Sequence, residues 1–318
     1  MAEMLLQVEH LKKHFENPAG LLHAVDDVSF SIEKGKTLGV VGESGCGKST
    51  LGRVILHLLD STDGKIIFGG EDVTNVNAAK LRELRGKMQI IFQDPYSSLD
   101  PRMTIYQTLS EPMLIVGKPP RGEIKKRVLE LMDIVGLARR FVNTYPHELD
   151  GGRRQRIGIA RALSIEPEFI VCDEAVSALD VSIQAQILNL LMDIQRDMGL
   201  SYIFITHDLS VVKHISDNIL VMYLGQMVEI ASSDELFEKQ VHPYTKALLN
   251  AVPVLDVNHK KDRILLKGEL SSPINPKPGC RFAPRCLYAC DACFTVEPEL
   301  REIEPGRFTK CHLAEQFV

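Results

Sequence analysis

The sequence has no long hydrophobic run and no excess of basic residues. In its 318 residues, no apolar run approaches the length of roughly 18–20 consecutive residues that a membrane-spanning helix needs. Its 37 Lys and Arg residues against 42 Asp and Glu residues give a net charge of −5, which argues against nucleic-acid binding, since that needs a positive field. The N-terminus lacks the basic, apolar and small-residue order of a secretory signal. We therefore expect a cytosolic protein that would reach a membrane only through a partner.

The composition allows a large core and points to an appendage at the C-terminal end. An apolar fraction of 45% predicts one large domain, and from Pro253 onward the sequence shifts to Pro, Lys, Asp and Cys, so we place domains at 1–252 and 253–318. Clustered thiols in a reducing cytosol indicate metal ligation more than disulfides. Two cysteines, Cys46 and Cys172, lie in the main body, and the remaining ones near the C-terminus are Cys280, Cys286, Cys290, Cys293 and Cys311.

Short apolar runs alternate with helical stretches along the chain. A helix is expected over about 48–59, and residues 98–165 are predicted to be mostly helical, with an amphipathic run at 122–135. This alternation is typical of an α/β protein whose mainly parallel sheet is covered on both faces. The predicted buried strands are TLGVVG (37–42), FIVCDE (169–174), SYIFIT (201–206) and NILVMYL (218–224).

A glycine-rich loop follows the first of these strands and opens a helix. Residues 42–49, GESGCGKS, fit the pattern GxxxxGK[ST], whose backbone N–H groups converge on phosphates at a helix N-terminus. Lys48 would reach the β- and γ-phosphates, and the Ser49 hydroxyl would hold Mg²⁺. The alternative, a glycine turn before an ordinary helix, does not account for the complete match in its strand–loop–helix context.

Two acidic residues end the strand FIVCDE. Asp173 would approach Mg²⁺, and Glu174 would be the base that orients the attacking water. Taken alone, two acids at this point also fit a cap of the next helix. Gln93 and His207 also follow apolar strands, and each taken alone would be an ordinary polar residue.

The motifs occur in one order: GESGCGKST, QIIFQDP, ELDGGRRQRIGIARAL, FIVCDE and ITHD. This ordered set resembles the ATPase subunits of ABC transporters over roughly residues 5–250. The segments QIIFQDPYSSLDPRMT, HDLSVVKHISD and HPYTKALL further resemble the paired ATPases of bacterial dipeptide and oligopeptide importers, most closely the second of the two. The resemblance implies a P-loop NTPase cassette with a RecA-like, mainly parallel core, an antiparallel β-subdomain, a helical subdomain at about 95–165 and a small Cys-rich extension.

The resemblance also implies roles for individual residues. Phe15 matches the aromatic residue that stacks on adenine, although a core phenylalanine at a strand edge is the plain alternative. Gln93 matches the residue that senses Mg²⁺ and the γ-phosphate, and His207 the histidine that contacts the γ-phosphate. Tyr96–Met103 matches the surface that receives the coupling helices of a permease. The nucleotide-binding loop is Gly42, Glu43, Ser44, Gly45, Cys46, Gly47, Lys48, Ser49 and Thr50.

In the family that the chain resembles, two ATPases enclose two ATP molecules head to tail. The implied partners are therefore a second, homologous ATPase in a heterodimer, two transmembrane permease subunits and an extracytoplasmic solute-binding protein. The resemblance places the chain peripherally at the cytoplasmic face of the membrane. Each ATP would lie on one chain's loop and be closed over by the other chain's marker motif, here Asp150, Gly151 and Gly152.

The marker motif departs from its usual SGGQ, because this chain has Asp150-Gly151-Gly152-Arg153. A carboxylate in place of the serine hydroxyl would repel the γ-phosphate of the partner's ATP, by about 4 kcal/mol for unit charges about 4 Å apart at an effective dielectric near 20. We expect a weakened half-site there and a competent site on this chain's own loop. In the alternative reading, Asp150 caps its helix and turns back onto it, with Arg153 offsetting its charge.

The clustered cysteines resemble those of the oligopeptide and dipeptide ATPases, whose C-terminal extension can hold an iron–sulfur cluster. The implied ligands of a [4Fe–4S] cluster are Cys280, Cys286, Cys293 and Cys311, with Cys290 extra to the pattern. Zinc would accept the same thiolates, and an extension without metal also remains open.

Two other classes of function compete with a peptide importer. A soluble cassette ATPase of DNA repair or translation would need a coiled-coil insertion or a second cassette, and the sequence has neither. A largely non-hydrolytic, nucleotide-sensing subunit is favoured by the altered marker but disfavoured by Glu174 and His207. Nickel or another small solute also remains open as the cargo.

Overall fold

The computed structural model describes residues 3–251 and 272–318, and the chain divides into two compact units. The first unit holds Glu33–Lys36 and Asn75–Ile205. The second unit holds Met4–Ile32, Thr37–Thr74 and the described part of Thr206–Val318. The predicted domain boundary at 252/253 lies outside the described residues and stays a prediction.

In the first unit, three strands pair in parallel in the order β6, β7, β8. All residues of β7 and β8 are buried, which explains why their sequences are continuous apolar runs instead of alternating ones. The strands are β6 (Met88–Ile91), β7 (Phe169–Asp173) and β8 (Ser201–Ile205). The helices are α2 (Ala78–Lys87), α3 (Ile105–Val116), α4 (Ile124–Ile134), α5 (Gly151–Leu163) and α6 (Val181–Met198).

The second unit contains an antiparallel sheet in the order β2, β1, β4, β5. Its long strands alternate buried and exposed residues over part of their length, as expected when one face packs on a core. The strands are β1 (Met4–Asn17), β2 (Gly20–Glu33), β4 (Asp63–Phe68) and β5 (Glu71–Asp72).

The second unit also carries the strand that leads into the glycine-rich loop. This strand, β3 (Thr37–Val41), pairs in parallel with β9 (Asn218–Tyr223). From β9 the sheet continues antiparallel through β10 (Gln226–Ser232) and β12 (Arg307–Thr309) to β11 (Arg301–Glu304). The helices are α1 (Lys48–Ile55), α7 (Leu209–Ile215), α8 (Ser233–Glu238), α9 (Pro243–Asn250) and α10 (Asp291–Thr295).

The predicted α/β class with parallel strands is confirmed. The helix expected over 48–59 ends earlier, at Ile55, and the amphipathic run at 122–135 forms α4. Within residues 3–251 and 272–318, no helix combines the length and apolarity that crossing a bilayer requires.

A buried ion pair fixes the hairpin of β11 and β12 to β10. Glu229 on β10 is 0% exposed and lies 3.0 Å from Nη2 of Arg307 on β12. Its carboxylate also accepts the backbone N–H groups of Val241 and His242, at 3.0 and 2.9 Å. Burying a carboxylate costs free energy, and these three partners offset that cost. The pair of Glu229 and Arg307 therefore anchors the extension.

Replacing Arg307 with methionine should lower the free energy of unfolding by about 3 kcal/mol, because it leaves a buried carboxylate without its cation. The thermal midpoint, measured by differential scanning fluorimetry, should fall by several degrees. The control is Arg301→Met on the neighbouring strand, where the side chain is half-exposed and its ion pair with Glu315 is wide at 3.5 Å. Equal midpoints for both variants would contradict the anchoring role.

Candidate active site

The glycine-rich loop joins β3 to α1 in the second unit. Gly47 adopts φ of +102°, and a Cβ there would lie 1.9 Å from the carbonyl oxygen of Ala24. A Cβ at Gly42 would lie 2.2 Å from the carbonyl oxygen of Met222. Only glycine fits these two positions, so the loop can lie against the neighbouring strands with α1 beginning directly after it at Lys48.

The Lys48 side chain turns back into this loop. Its Nζ donates to the carbonyl oxygens of Gly42 at 2.8 Å and Glu43 at 3.0 Å, and the residue is only 5% exposed. The neighbouring Cys46 is buried, and burial raises the pKa of its thiol. Ser49 and Thr50 are half-buried on the first turn of α1, whereas Ser44 and Gly45 are exposed at the tip of the loop. The loop thus holds a buried ammonium group at a helix N-terminus, which is an arrangement suited to an anion.

Glu43 is held from outside the loop. Its backbone N–H donates to the Tyr244 hydroxyl at 2.9 Å, and its carboxylate forms an ion pair with Arg285 at 2.7 Å. Both contacts come from residues far along the chain, in α9 and in the Cys-rich extension.

The first unit carries the predicted acidic residues at the carboxyl end of β7. Asp173 is buried, and Glu174 follows it with φ of +50°. The Glu174 N–H donates to the Ile205 carbonyl at 2.9 Å, which holds it against the end of β8. A left-handed conformation is unusual for a glutamate and is found preferentially where function requires a particular side-chain direction.

Gln93 and Glu174 lie together in the structure. Gln93 follows β6, which pairs with β7, and its Nε2 donates to Oε2 of Glu174 at 2.7 Å. Since the carboxyl ends of parallel strands meet at one edge of a sheet, residues 81 positions apart reach one another.

His207 and Phe15 belong to the second unit. His207 is exposed, and the preceding residue, Thr206, donates its N–H to Val40 at 3.2 Å, which places His207 beside the strand that enters the loop. Phe15 is half-buried on β1, with the Lys13 ammonium 4.9 Å from its ring centroid. The structure thus leaves both side chains on accessible surface.

Asp150 of the marker motif caps α5. Its Oδ1 accepts the Arg153 N–H at 2.8 Å, and its Oδ2 lies 3.0 Å from Nη1 of Arg153. The side chain is therefore turned back onto its own helix, which is the geometry of the alternative reading. Gly152 packs closely, because a Cβ there would lie 2.7 Å from Cγ2 of Ile183 on α6.

The cysteines of the extension lie near one another. Burial and the neighbouring thiols raise the pKa of Cys280 and Cys311 to about 11, and burial also raises the pKa of Cys286 and Cys293. Cys280 and Cys293 line a common cavity of about 320 Å³. The extra Cys290 lies with its Sγ 3.5 Å from that of Cys293.

Sequence reasoning did not find Arg285 or Tyr244, the two residues that hold Glu43. The available signal is local: Arg281 and Arg285 each adjoin a cysteine in CRFAPRC, and Tyr244 lies in HPYTKALL. Nothing in those spacings shows that either segment contacts the loop about 200 or more residues earlier.

Comparisons with known proteins show the family to which the chain belongs. A family model described as ABC transporter matches residues 25–177, and one described as oligopeptide/dipeptide transporter, C-terminal region, matches residues 228–293. The chain is 53% identical over 316 residues to the putative oligopeptide transport ATP-binding protein YkfD of Bacillus subtilis, covering 97% of this chain and 95% of that protein. It is 49% identical over 321 residues to the oligopeptide transport ATP-binding protein AppF of the same organism, covering 98% of each.

Two solved structures show the same cassette. The dimeric, post-hydrolysis structure of the ATP-binding cassette MJ0796 with ADP and phosphate is 27% identical, with a TM-score of 0.66 over 72% of this chain and 99% of that chain. CbiO1 from Clostridium perfringens is 29% identical, with a TM-score of 0.67 over 74% of this chain and 91% of that chain. Motifs, fold and relatives lead to one conclusion: the chain belongs to the ATPases of the ABC-transporter family, in its oligopeptide/dipeptide branch.

Proposed function

We propose that this chain hydrolyses ATP on its own glycine-rich loop and thereby drives the uptake of dipeptides or oligopeptides through a separate permease. The observation that carries the proposal is the 2.7 Å contact between Gln93 and Glu174, directly after the buried Asp173. This contact fixes the direction of the Glu174 carboxylate and places it next to the Gln93 amide, which can sense the bound nucleotide.

The chain's own residues divide the work of hydrolysis. The loop N–H groups and Lys48 bind the β- and γ-phosphates, and Phe15 stacks on adenine. Glu174 orients a water molecule and takes its proton as the water oxygen attacks the γ-phosphorus and the bond to ADP breaks. His207 contacts the γ-phosphate. The oxygen donors of Ser49, Gln93 and Asp173 suit Mg²⁺, which supplies charge neutralisation when bound.

The proposed assembly contains a second ATPase, two permease subunits and an extracytoplasmic solute-binding protein, with this chain at the cytoplasmic face of the membrane. The relatives named as oligopeptide transport ATP-binding proteins support a peptide cargo. Tyr96, which is 62% exposed in the segment Tyr96–Met103, supports a docking surface for the permease. Nucleotide sensing without hydrolysis is disfavoured by the presence of Glu174 and His207, the residues that hydrolysis needs.

We further propose an asymmetric pair, in which Asp150 weakens the ATP site on the partner's loop. The ion pair with Arg153 supports only a moderate effect, since the guanidinium, 3.0 Å away, offsets part of the carboxylate charge. The site on this chain's own loop depends on the partner's marker motif and is unaffected by Asp150.

The extension is proposed to hold a [4Fe–4S] cluster on Cys280, Cys286, Cys293 and Cys311. The donor set fits, because burial and the neighbouring thiols raise the pKa of Cys280 and Cys311, and a bound cation would stabilise their thiolates. A tetrahedral zinc ion would accept the same four thiolates. The cluster would stabilise the extension.

Replacing Glu174 with glutamine should reduce ATP turnover of the assembled transporter at least about 100-fold, because the general base is lost. Binding of ATP should persist. Steady-state phosphate release in reconstituted vesicles measures the effect, with Glu168→Gln, an exposed carboxylate just before β7, as the control. Unchanged turnover in Glu174→Gln would overturn the assignment of the hydrolytic site.

The two marker substitutions should act in opposite directions on the partner's site. Asp150→Ser should raise ATP affinity there about tenfold by removing residual negative charge, and Arg153→Gln should lower it by leaving that charge uncompensated. Photolabelling of each chain with an azido-ATP analogue separates the two sites. If neither variant alters labelling of the partner, Asp150 does not face the nucleotide.

Anaerobically purified protein should absorb near 400 nm, as expected of a four-thiolate iron–sulfur cluster. Cys293→Ser and Cys311→Ser should abolish this band, whereas Cys290→Ser should retain it. A colourless protein with one equivalent of zinc by elemental analysis would contradict the cluster, and so would one without metal.

A further inference from the structure

In the segment Cys280–Cys286, CRFAPRC, the side chain of Arg285 contacts the glycine-rich loop and that of Arg281 contacts β2. Phe282 lies between these two arginines in the sequence. We call residues 280–286 the arginine strap. All of its contacts described below lie within the second unit.

Arg285 holds the carboxylate of Glu43 in a two-pronged contact. Its Nη1 lies 2.7 Å from Oε2 and its Nη2 lies 3.1 Å from Oε1. The arginine is 8% exposed, and the hydrogen bonds to Glu43 raise its pKa further above the usual value. Paired, charge-assisted hydrogen bonds of this kind fix direction as well as distance, so the Glu43 side chain has little freedom.

The backbone of Glu43 transmits this constraint to Lys48. The Glu43 carbonyl accepts Lys48 Nζ at 3.0 Å, and the Glu43 N–H donates to the Tyr244 hydroxyl at 2.9 Å. One residue therefore connects the extension, α9 and the lysine of the loop. Each of the two peptide groups that flank Glu43 carries one of these contacts and cannot rotate without breaking it.

Three aromatic rings pack together next to Glu43. Phe282 of the strap is 2% exposed and packs against Tyr223 and Tyr244, with ring centroids 5.3 and 5.4 Å apart. Tyr223 and Tyr244 are themselves 4.7 Å apart. Phe282 packs against Tyr244, whose hydroxyl accepts the Glu43 N–H. The strap therefore supports Glu43 through its side chain, by way of Arg285, and through its backbone, by way of Tyr244.

Arg281 makes the second attachment. Its guanidinium contacts Asp26 on β2 and the Leu224 carbonyl. Asp26 also binds His14 at 3.0 Å and His23 at 2.8 Å; burial raises its pKa, but these hydrogen bonds and the Arg281 charge lower it to about 2. Although His14, His23 and Asp26 are spaced like metal ligands, Arg281 already supplies the positive charge.

We infer that Arg285 is a positioning residue for ATP binding, which acts through Glu43 to hold the loop backbone in the conformation that keeps Lys48 turned into the loop, where phosphate oxygens replace its carbonyl acceptors when ATP binds. The arginine strap thereby makes the affinity of the loop dependent on the Cys-rich extension. The inference rests on the proposed role of the loop as this chain's ATP site. It assigns the extension a role in nucleotide binding in addition to any metal that its cysteines hold.

The test measures the affinity of the full chain for a fluorescent ATP analogue, together with KM and kcat of the assembled transporter. Arg285→Ala and Glu43→Gln should each weaken analogue binding and raise KM about ten- to hundredfold, the range expected for losing charge-assisted hydrogen bonds. The kcat at saturating ATP should stay within about twofold. Arg285→Lys should restore part of the affinity, because it keeps the charge but not the paired geometry.

The double variant Arg285→Ala/Glu43→Gln should bind no more weakly than either single variant, because both changes remove one interaction. The matched control is the exposed Arg301→Ala of the same extension, which should bind like the wild type. Additive losses in the double variant, or equal losses of kcat and affinity, would overturn the positioning role in favour of general destabilisation.

Lys48→Ala separates this inference from the proposed function. If Lys48→Ala abolishes binding while Arg285→Ala and Glu43→Gln bind normally, the loop is the ATP site and the positioning role is wrong. If Lys48→Ala binds the analogue as tightly as the wild type, the loop is not the ATP site and the proposed function itself fails.

Discussion

The buried ammonium group of Lys48 is the constraint on which the loop depends. A charge that is 5% exposed needs close acceptors, and the carbonyl oxygens of Gly42 and Glu43 provide them. In the same loop, Gly47 adopts a backbone conformation closed to other residues, and Glu43 is held from outside by Tyr244 and Arg285. The glycines and the distant contacts of Glu43 thus both shape the loop in which the Lys48 ammonium group is buried.

The arrangement of the acidic residues within the first unit follows from strand order. Parallel β6, β7 and β8 end at one edge, so Gln93, Glu174 and the Ile205 carbonyl meet there without further sequence constraint. Under the proposed function, phosphate oxygens take over the role that the carbonyls of Gly42 and Glu43 have for Lys48. Because the ammonium group exchanges one set of acceptors for another, binding does not require it to be desolvated again.

The sequence predicted those features that depend on local pattern. The loop, the buried strands and the acidic pair each lie within a few consecutive residues, and the contact between Gln93 and Glu174 follows from parallel pairing. The Glu43–Arg285 pair joins residues 242 positions apart, so no spacing rule reveals it. The orientation of Asp150 was left open because a helix cap and a phosphate-facing carboxylate have the same sequence. The hairpin of β11 and β12 was missed because its strands are too short to show a period.

A structure of the assembled transporter carrying Glu174→Gln, determined with ATP and Mg²⁺, tests the central claim most directly. The account predicts ATP on this chain's loop, with Lys48 Nζ moved from the carbonyls of Gly42 and Glu43 to phosphate oxygens and with the Glu43–Arg285 pair intact. A loop without nucleotide, with Lys48 still bonded to those carbonyls, would contradict it.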